Sequence, residues 1–254
     1  MRNKENDEYI VYGIRPMIEA IKSDKKIEKI LLQNGLQGEL IQELNTLIQA
    51  KHINTQYVPA EKLNKLCWGN HQGVLGFISR IDYFLLENIF SDILDKKQVP
   101  LLLICDRITD VRNFGAMVRT AECAGVHAII IPSHNSAAVN EDAIKTSAGA
   151  LHIVPICREE NIKTTIHFLK ANGVQILAIT EKGRIAYTQA NFHKPTALIL
   201  GSEEDGVSSE YLKLCDQQLY IPLLGKIDSL NVSVANGVIL YEAVRQRAST
   251  IQSK

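Results

Sequence analysis

No apolar run in this 254-residue sequence reaches the roughly 18 residues that a membrane-spanning helix needs. The amino-terminal MRNKENDEYI is polar and charged, without the apolar core of a signal peptide. Cysteine is sparse: Cys67, Cys105, Cys123, Cys157 and Cys215 are odd in number, widely scattered and free of any C-x-x-C pair. That usage speaks against a disulfide framework or a zinc site and for reduced, buried thiols. A soluble cytoplasmic protein is the expectation. Charge of one sign is also missing, with 28 Lys and Arg against 28 Asp and Glu. The strong basic footprint of many nucleic-acid proteins is therefore absent, and any nucleic acid must be held by a local patch. Residues 1–80 carry eleven Lys or Arg against nine Asp or Glu, a surplus too small to point anywhere. The sequence has no internal repeat and no low-complexity tract.

What is present is an alternation. From Pro100 onward, short apolar runs (101–105, 128–131, 152–156, 175–180, 196–200 and 219–223) are separated by amphipathic stretches. In one of these, Phe114, Met117, Val118 and Ala121 share a helical face and Gly125 fits a C-cap; another, 161–172, ends at Gly173. Near-continuous apolar strands alternating with helices predict an α/β fold with a parallel sheet covered on both faces. Residues 1–80 read as a smaller α/β unit, with strands in EYIVYG, IEKILLQ and GVLGFISR and helices in RPMIEAIKS and QGELIQELNTLIQAK. Residues 81–99 read as a linker carrying a short amphipathic helix. The expected division is thus 1–80, 81–99 and 100–254.

In an open parallel sheet, ligands bind beyond the carboxyl ends of the strands. Three loops at that edge are rich in glycine and polar residues: DRITDVRNFGAMVR after 101–105, GSEEDG after 196–200 and LGKIDSLNVS after 219–223. Each taken singly is also what an ordinary connection looks like. Asn113 reads as a helix N-cap with Arg119 nearly two turns inside, and both could face a ligand, Arg119 through its planar fork. GSEEDG has the glycine spacing of a phosphate loop, but Val207 stands where a phosphate-binding Lys is needed, which disfavours a nucleotide triphosphatase. No G-x-G-x-x-G follows the first strand, no G-x-S-x-G elbow occurs, and the seven histidines lack ligand spacing. The residues alone leave a polar crevice with Asn, Arg and Glu, and no indicated metal, nucleophile or dinucleotide motif.

These three loops resemble the three motifs of the SpoU (TrmH) family of the SPOUT superfamily. N-x-G-x-x-x-R is matched by Asn113, Gly115 and Arg119; G-x-E-x-x-G by Gly201, Glu203 and Gly206; S-L-N-V-S-V-A stands complete from Ser229 to Ala235. The resemblance covers the whole chain. YGIRPMIEAI and HQGVLGFIS look like this family's L30e-like substrate-binding domain, and the region 106–132 with the terminal LYEAVRQR looks like the branch that methylates a guanosine ribose in 23S rRNA. One departure is Val111-Arg112, where relatives more often carry Pro; it bears on how that loop meets RNA.

The resemblance implies an S-adenosylmethionine-dependent RNA ribose 2′-O-methyltransferase that releases S-adenosylhomocysteine and needs no metal. It also implies a deep trefoil knot in the carboxy-terminal region and a homodimer with the active site at its interface. The partner is RNA, neither DNA nor a membrane. Asn113, Arg119, Glu203 and Asn231 would be catalytic, and Thr180, Gly201, Ile221, Ser229 and Leu230 would hold the cofactor. Arg15, His71, Gln72 and Arg112 are candidate RNA contacts, though His71 and Gln72 equally suit the closing of a turn. The family assigns the motif Arg as the base. Guanidinium groups are poor proton acceptors in proteins, so Arg119 is expected to clamp a phosphate and the developing alkoxide while the proton leaves through a neighbour or water. The other readings are the same chemistry on tRNA or another rRNA site, and a non-catalytic RNA-binding ribosome-assembly factor.

Overall fold

The computed structural model describes residues 9–23, 25–67, 69–137 and 139–251. The charged amino terminus, including Glu8 at the head of the first expected strand, lies outside the described residues. The chain divides into two compact units, Met1–Arg80 and Ile81–Lys254.

The first unit runs β1 (Ile10–Tyr12), α1 (Ile14–Lys22), β2 (Ile27–Gln33), α2 (Glu39–Ala50), β3 (Thr55–Val58), α3 (Ala60–Leu66) and β4 (Val74–Ile78). The sheet order is β1-β4-β2-β3, with β4 antiparallel to both neighbours and β2 parallel to β3. The period-2 alternation of β2 divides its side chains between two faces. Ile30 and Leu32 pack with Met17, Ile21 and Leu44 beneath α1 and α2, whereas Leu31 packs with Val58, Leu63 and Leu75 beneath α3.

The second unit holds β5 (Tyr83–Phe84), α4 (Leu86–Asp95), β6 (Leu101–Cys105), α5 (Val111–Cys123), β7 (Ala128–Pro132), α6 (Glu141–Thr146) and β8 (Ile156–Glu159). It continues through α7 (Ile162–Ala171), β9 (Gln175–Ile179), β10 (Ile185–Ala186), β11 (Thr196–Leu200), α8 (Ser209–Leu212), β12 (Gln217–Tyr220) and α9 (Val232–Ile251). The eight strands form one sheet in the order β10-β12-β9-β11-β6-β7-β8-β5, parallel throughout. All five residues of β6 are buried, because both faces are covered. Leu101 and Leu103 share a core with Phe114, Met117, Val118, Ile239 and Leu240 of α5 and α9, while Leu102 and Ile104 meet Phe90, Ile93, Ile166 and Leu169 of α4 and α7. No described helix is long and apolar enough to cross a membrane.

Several expectations are corrected. Residues 81–99 carry the expected short helix as α4 but belong to the second unit: β5 pairs with β8 at the sheet edge, and α4 buries Leu86, Phe90 and Ile93 in the core. The run 152–156 becomes a strand only from Ile156, because Ala150–His152 coil into a 3₁₀ turn and Pro155 has no N–H for the ladder. Pro222 likewise ends β12 at Tyr220, leaving Ile221–Leu223 outside the sheet. Cys67, Cys105 and Cys157 are buried, but Cys123 is exposed. Burial next to Asp106 pushes the Cys105 thiol up to about 12.

Candidate active site

Because the sheet is parallel, the loops that follow β6, β9, β11 and β12 emerge at one edge. After β6, Asp106 is buried and accepts from Ser208 N–H (2.6 Å) and Ser208 Oγ (2.7 Å). Its neighbour Arg107 donates to Asp205 Oδ2 at 3.0 Å and to the Gly206 carbonyl at 3.1 Å. These bonds hold the loop after β6 against the loop after β11. Within the latter, Gly206 N–H returns to the Ser202 carbonyl at 2.9 Å, with Gly206 at φ +67°. A Cβ on Gly201 would stand 2.0 Å from the Gly206 carbonyl carbon, so only glycine allows the two backbones to approach this closely. Nothing in the sequence pattern singles out Asp106, Arg107 and Ser208, because a buried Asp after a strand and a Ser beyond a glycine turn leave no spacing signal.

Three motif residues meet on this frame. Asn113 Nδ2 donates to Glu203 Oε1 at 3.1 Å, Asn231 Nδ2 donates to the same oxygen at 2.7 Å, and Asn231 Nδ2 also reaches Asn113 Oδ1 at 3.0 Å. Val232 N–H adds a 3.4 Å approach to Glu203 Oε1. Asn231 precedes α9, and its Oδ1 accepts from Ser233 N–H (3.0 Å) and Ser233 Oγ (2.6 Å), capping the helix. Asn236, fully buried, donates to the Met117 carbonyl of α5 at 3.2 Å. Asn231, Ser233 and the Asn236 amide nitrogen therefore find partners in the chain itself, whereas the buried Asn236 Oδ1 has none among the described residues. Asn113 is not the N-cap of α5. Asp110 holds that place, accepting from Arg112 and Asn113 N–H at 2.8 Å each, so Asn113 lies within the first turn and its side chain is released towards Glu203. Gly115 lets α5 lie on α6: a Cβ there would meet the Ala143 carbonyl oxygen at 2.6 Å.

A cavity of about 290 Å³ opens beside this cluster. Thr180, Gly201, Ile221, Ser229 and Leu230 all line it. Glu181, Glu203, Glu204, Asp205 and Asp228 line it as well, against Lys182 alone among cations. A second cavity of about 380 Å³ lies across the 202–205 wall and is bounded by Asn113, Arg107 and Asn135. Arg119 borders neither cavity. It is exposed on α5, roughly 120° around the helix from Asn113, so the two do not face one ligand within a single chain. Arg112 is exposed on the same side as Arg119. In the first unit Arg15 is exposed on α1, whereas His71 and Gln72 close a turn. His71 Nδ1 accepts from Gly73 N–H at 2.9 Å, its Nε2 meets Asn64 Oδ1 at 2.8 Å, and Gln72 Oε1 accepts from Ile14 N–H at 3.3 Å. Among the described residues no group of three His, Cys, Asp or Glu is gathered to hold a metal.

Comparison with known proteins places this architecture. The SpoU rRNA methylase family matches residues 100–241, and the RNA 2′-O ribose methyltransferase substrate-binding family matches residues 10–84. The chain belongs to the SpoU rRNA methylase family. It is 32% identical to YacO of Bacillus subtilis, assigned to the TrmH family of tRNA/rRNA methyltransferases, over 96% of this chain and 97% of that one. It is 35% identical to the 23S rRNA (guanosine-2′-O-)-methyltransferase RlmB of Vibrio parahaemolyticus, over 94% and 96% of the two chains. The crystal structure of the SpoU methyltransferase AviRb from Streptomyces viridochromogenes, in complex with AdoMet, superposes with a TM-score of 0.61 at 25% identity, covering 98% of this chain and 95% of that one.

Proposed function

We propose that this chain transfers a methyl group from S-adenosylmethionine to a ribose 2′-hydroxyl in RNA, with a guanosine of 23S rRNA as the target. The observation that carries the reading is the convergence of Asn113, Glu203 and Asn231 beside the cavity lined by Thr180, Gly201, Ile221, Ser229 and Leu230. The cavity suits that cofactor chemically. Leu200, Ile221, Leu230 and Ala235 offer apolar surface for an adenine ring, and the surplus of carboxylates suits a ligand carrying sulfonium and ammonium charge. When bound, S-adenosylmethionine supplies a methyl group activated by the positive sulfur.

The chain's residues supply alignment, on which an in-line transfer depends. Glu203 Oε1 gathers the amides of Asn113 and Asn231 and fixes both, so that the ribose is oriented between the two cavities. Arg119 clamps a phosphate and the developing alkoxide, and the hydroxyl proton leaves through a neighbouring group or water. Its position outside the cavities supports delivery from a second copy of the chain. On α9, Val234 and Tyr241, seven residues apart on one face, are 51% and 53% exposed, while Ile239, Leu240 and Ala243 fill the opposite side. A helix apolar on both sides is normally covered on both. A Cβ on Gly237, between the exposed pair, would come to 3.7 Å from the Cγ2 of Thr120, the residue after Arg119. We place the partner of a homodimer on this face. For residues 227–237 we infer the trefoil knot of the family, supported by β12 lying beside β9 and by Arg247 of α9 reaching back to the carbonyls of Val99 and Pro100.

The identity to the Vibrio enzyme supports a 23S guanosine; the Bacillus relative's name, which spans tRNA and rRNA, makes tRNA the second reading. The test is transfer of labelled methyl to unmodified 23S rRNA and to bulk tRNA, followed by mapping of the ribose-methylated nucleotide. Label on one rRNA guanosine is expected. Label on tRNA overturns the target, and cofactor binding without transfer points instead to a non-catalytic RNA-binding assembly factor.

A further inference from the structure

Lys29 occupies an unusual position in the first unit. It lies on β2 two residues before Leu31, on the face that α3 covers, and is partly buried there. Its ammonium donates to Gln56 Oε1 on the adjacent strand at 2.7 Å, a neutral partner. Burial first, and then the charge of another cation, Lys62 of α3, hold the Lys29 pKa below the ordinary lysine value. Lys62 precedes Leu63, which is fully buried against Leu31, so the packing of α3 on β2 brings the two ammonium groups to one face. Lys65 follows three residues later, on the same side of α3. Glu61 is on α3 as well, turned about 100° from Lys62 and four residues before Lys65, with no ion pair between Glu61 and Lys65 among the described residues. No ion pair joins Lys29, Lys62 or Lys65 to a carboxylate among the described residues. Two like charges set together, one of them partly desolvated and neither neutralised, oppose folding. Such an arrangement is relieved by an anion brought from outside.

We propose that Lys29, Lys62 and Lys65, with Gln56 fixing the first of them, form a cradle for successive phosphates of the RNA strand. The proposal rests on the RNA reading above and names the surface of the first unit that takes the backbone. Phosphate contacts of this kind fix position without reading sequence, and they make binding depend on salt. The chain as a whole has no excess of positive charge, so a local cradle is where its attraction for a polyanion has to reside.

The experiment uses the full chain and an unmodified 23S rRNA fragment, with affinity measured across a potassium chloride series. Wild type is compared with Lys29→Gln/Lys62→Gln and with Lys29→Arg/Lys62→Arg. The Gln variant is expected to bind roughly tenfold more weakly at moderate salt, with a log–log salt slope shallower by about one for each lysine removed. Its KM for RNA should rise while kcat at saturating RNA stays at the wild-type value, the Arg variant should behave as wild type, and thermal stability should not fall. An unchanged slope overturns the cradle, as does a loss of stability with an unchanged slope. The slope needs no methyl transfer: a wild type that binds RNA but transfers nothing sinks the enzymatic reading and leaves the slope to decide the cradle.

Discussion

Asn231, the residue before the last helix, donates its side-chain amide to Asn113 Oδ1 at 3.0 Å across 118 positions of sequence. The same amide reaches Glu203 Oε1, so one nitrogen ties the first turn of α5 to the loops after β11 and β12. That nitrogen orients the cluster, whereas the oxygen of the same side chain caps α9. The two duties can be separated.

Asn231→Asp separates them. Aspartate caps a helix as well as asparagine, but it cannot donate and it faces Glu203 with a second carboxylate. Methyl transfer is expected to fall by about 10²-fold, the scale of a misaligned reacting group. Thermal unfolding should move less than in Asn231→Ala, which also loses the cap at about 1 kcal/mol. Activity assays and melting curves on both variants check it; a Asn231→Asp protein with the wild-type rate contradicts the positioning role.

Gly201→Ala tests the approach of the two glycine backbones. Its Cβ would overlap the Gly206 carbonyl carbon, 2.0 Å away, and forced overpacking of this kind costs about 1–3 kcal/mol. S-adenosylmethionine binding, followed by calorimetry, should weaken more than tenfold. Gly225→Ala, whose Cβ meets nothing within 4 Å, should leave both stability and binding unchanged.

Glu159 gives a stability signature unrelated to catalysis. Burial, then the charge of Glu87, raises its carboxyl above the ordinary value of 4.5, and the bond from Thr165 only partly offsets this. The folded state therefore binds this proton more tightly than the unfolded state. The associated stability is fully present below about pH 4.5 and is lost as the pH rises through the raised folded value. Glu159→Gln, which keeps an oxygen for Thr165, should melt higher than wild type at pH 7 and converge with it near pH 4. Parallel melting curves across that range, with no convergence, contradict the assignment.

Much of this was legible in the sequence, for a physical reason. A strand buried on both faces writes an apolar run, so β6 and β11 stand at the expected residues, and Gly125 and Gly173, at φ +71° and +78°, follow the ends of α5 and α7. What escaped was short or locally atypical. β3 with Thr55, Gln56 and Tyr57 is a half-exposed edge strand, α3 has seven residues, and β5 and β10 have two each. The motif residues were found by resemblance. Their geometry was not: Asn113 looked like a cap because nothing in the sequence tells which of Asp110 and Asn113 opens the helix. That Arg119 stands apart from Glu203 also needed three dimensions.

The central claim is that Asn113, Glu203 and Asn231 form a methyl-transfer site completed by Arg119 of a second copy. Mixing Arg119→Ala protein with Asn231→Asp protein, after unfolding and refolding together, tests it most directly. Each variant alone should retain about a hundredth of the wild-type rate or less. In mixed dimers one site of the two regains both residues, so about a quarter of wild-type activity should return on random pairing. Wild-type activity in either variant alone, or no recovery from a mixture shown to contain the mixed dimer, would contradict the account.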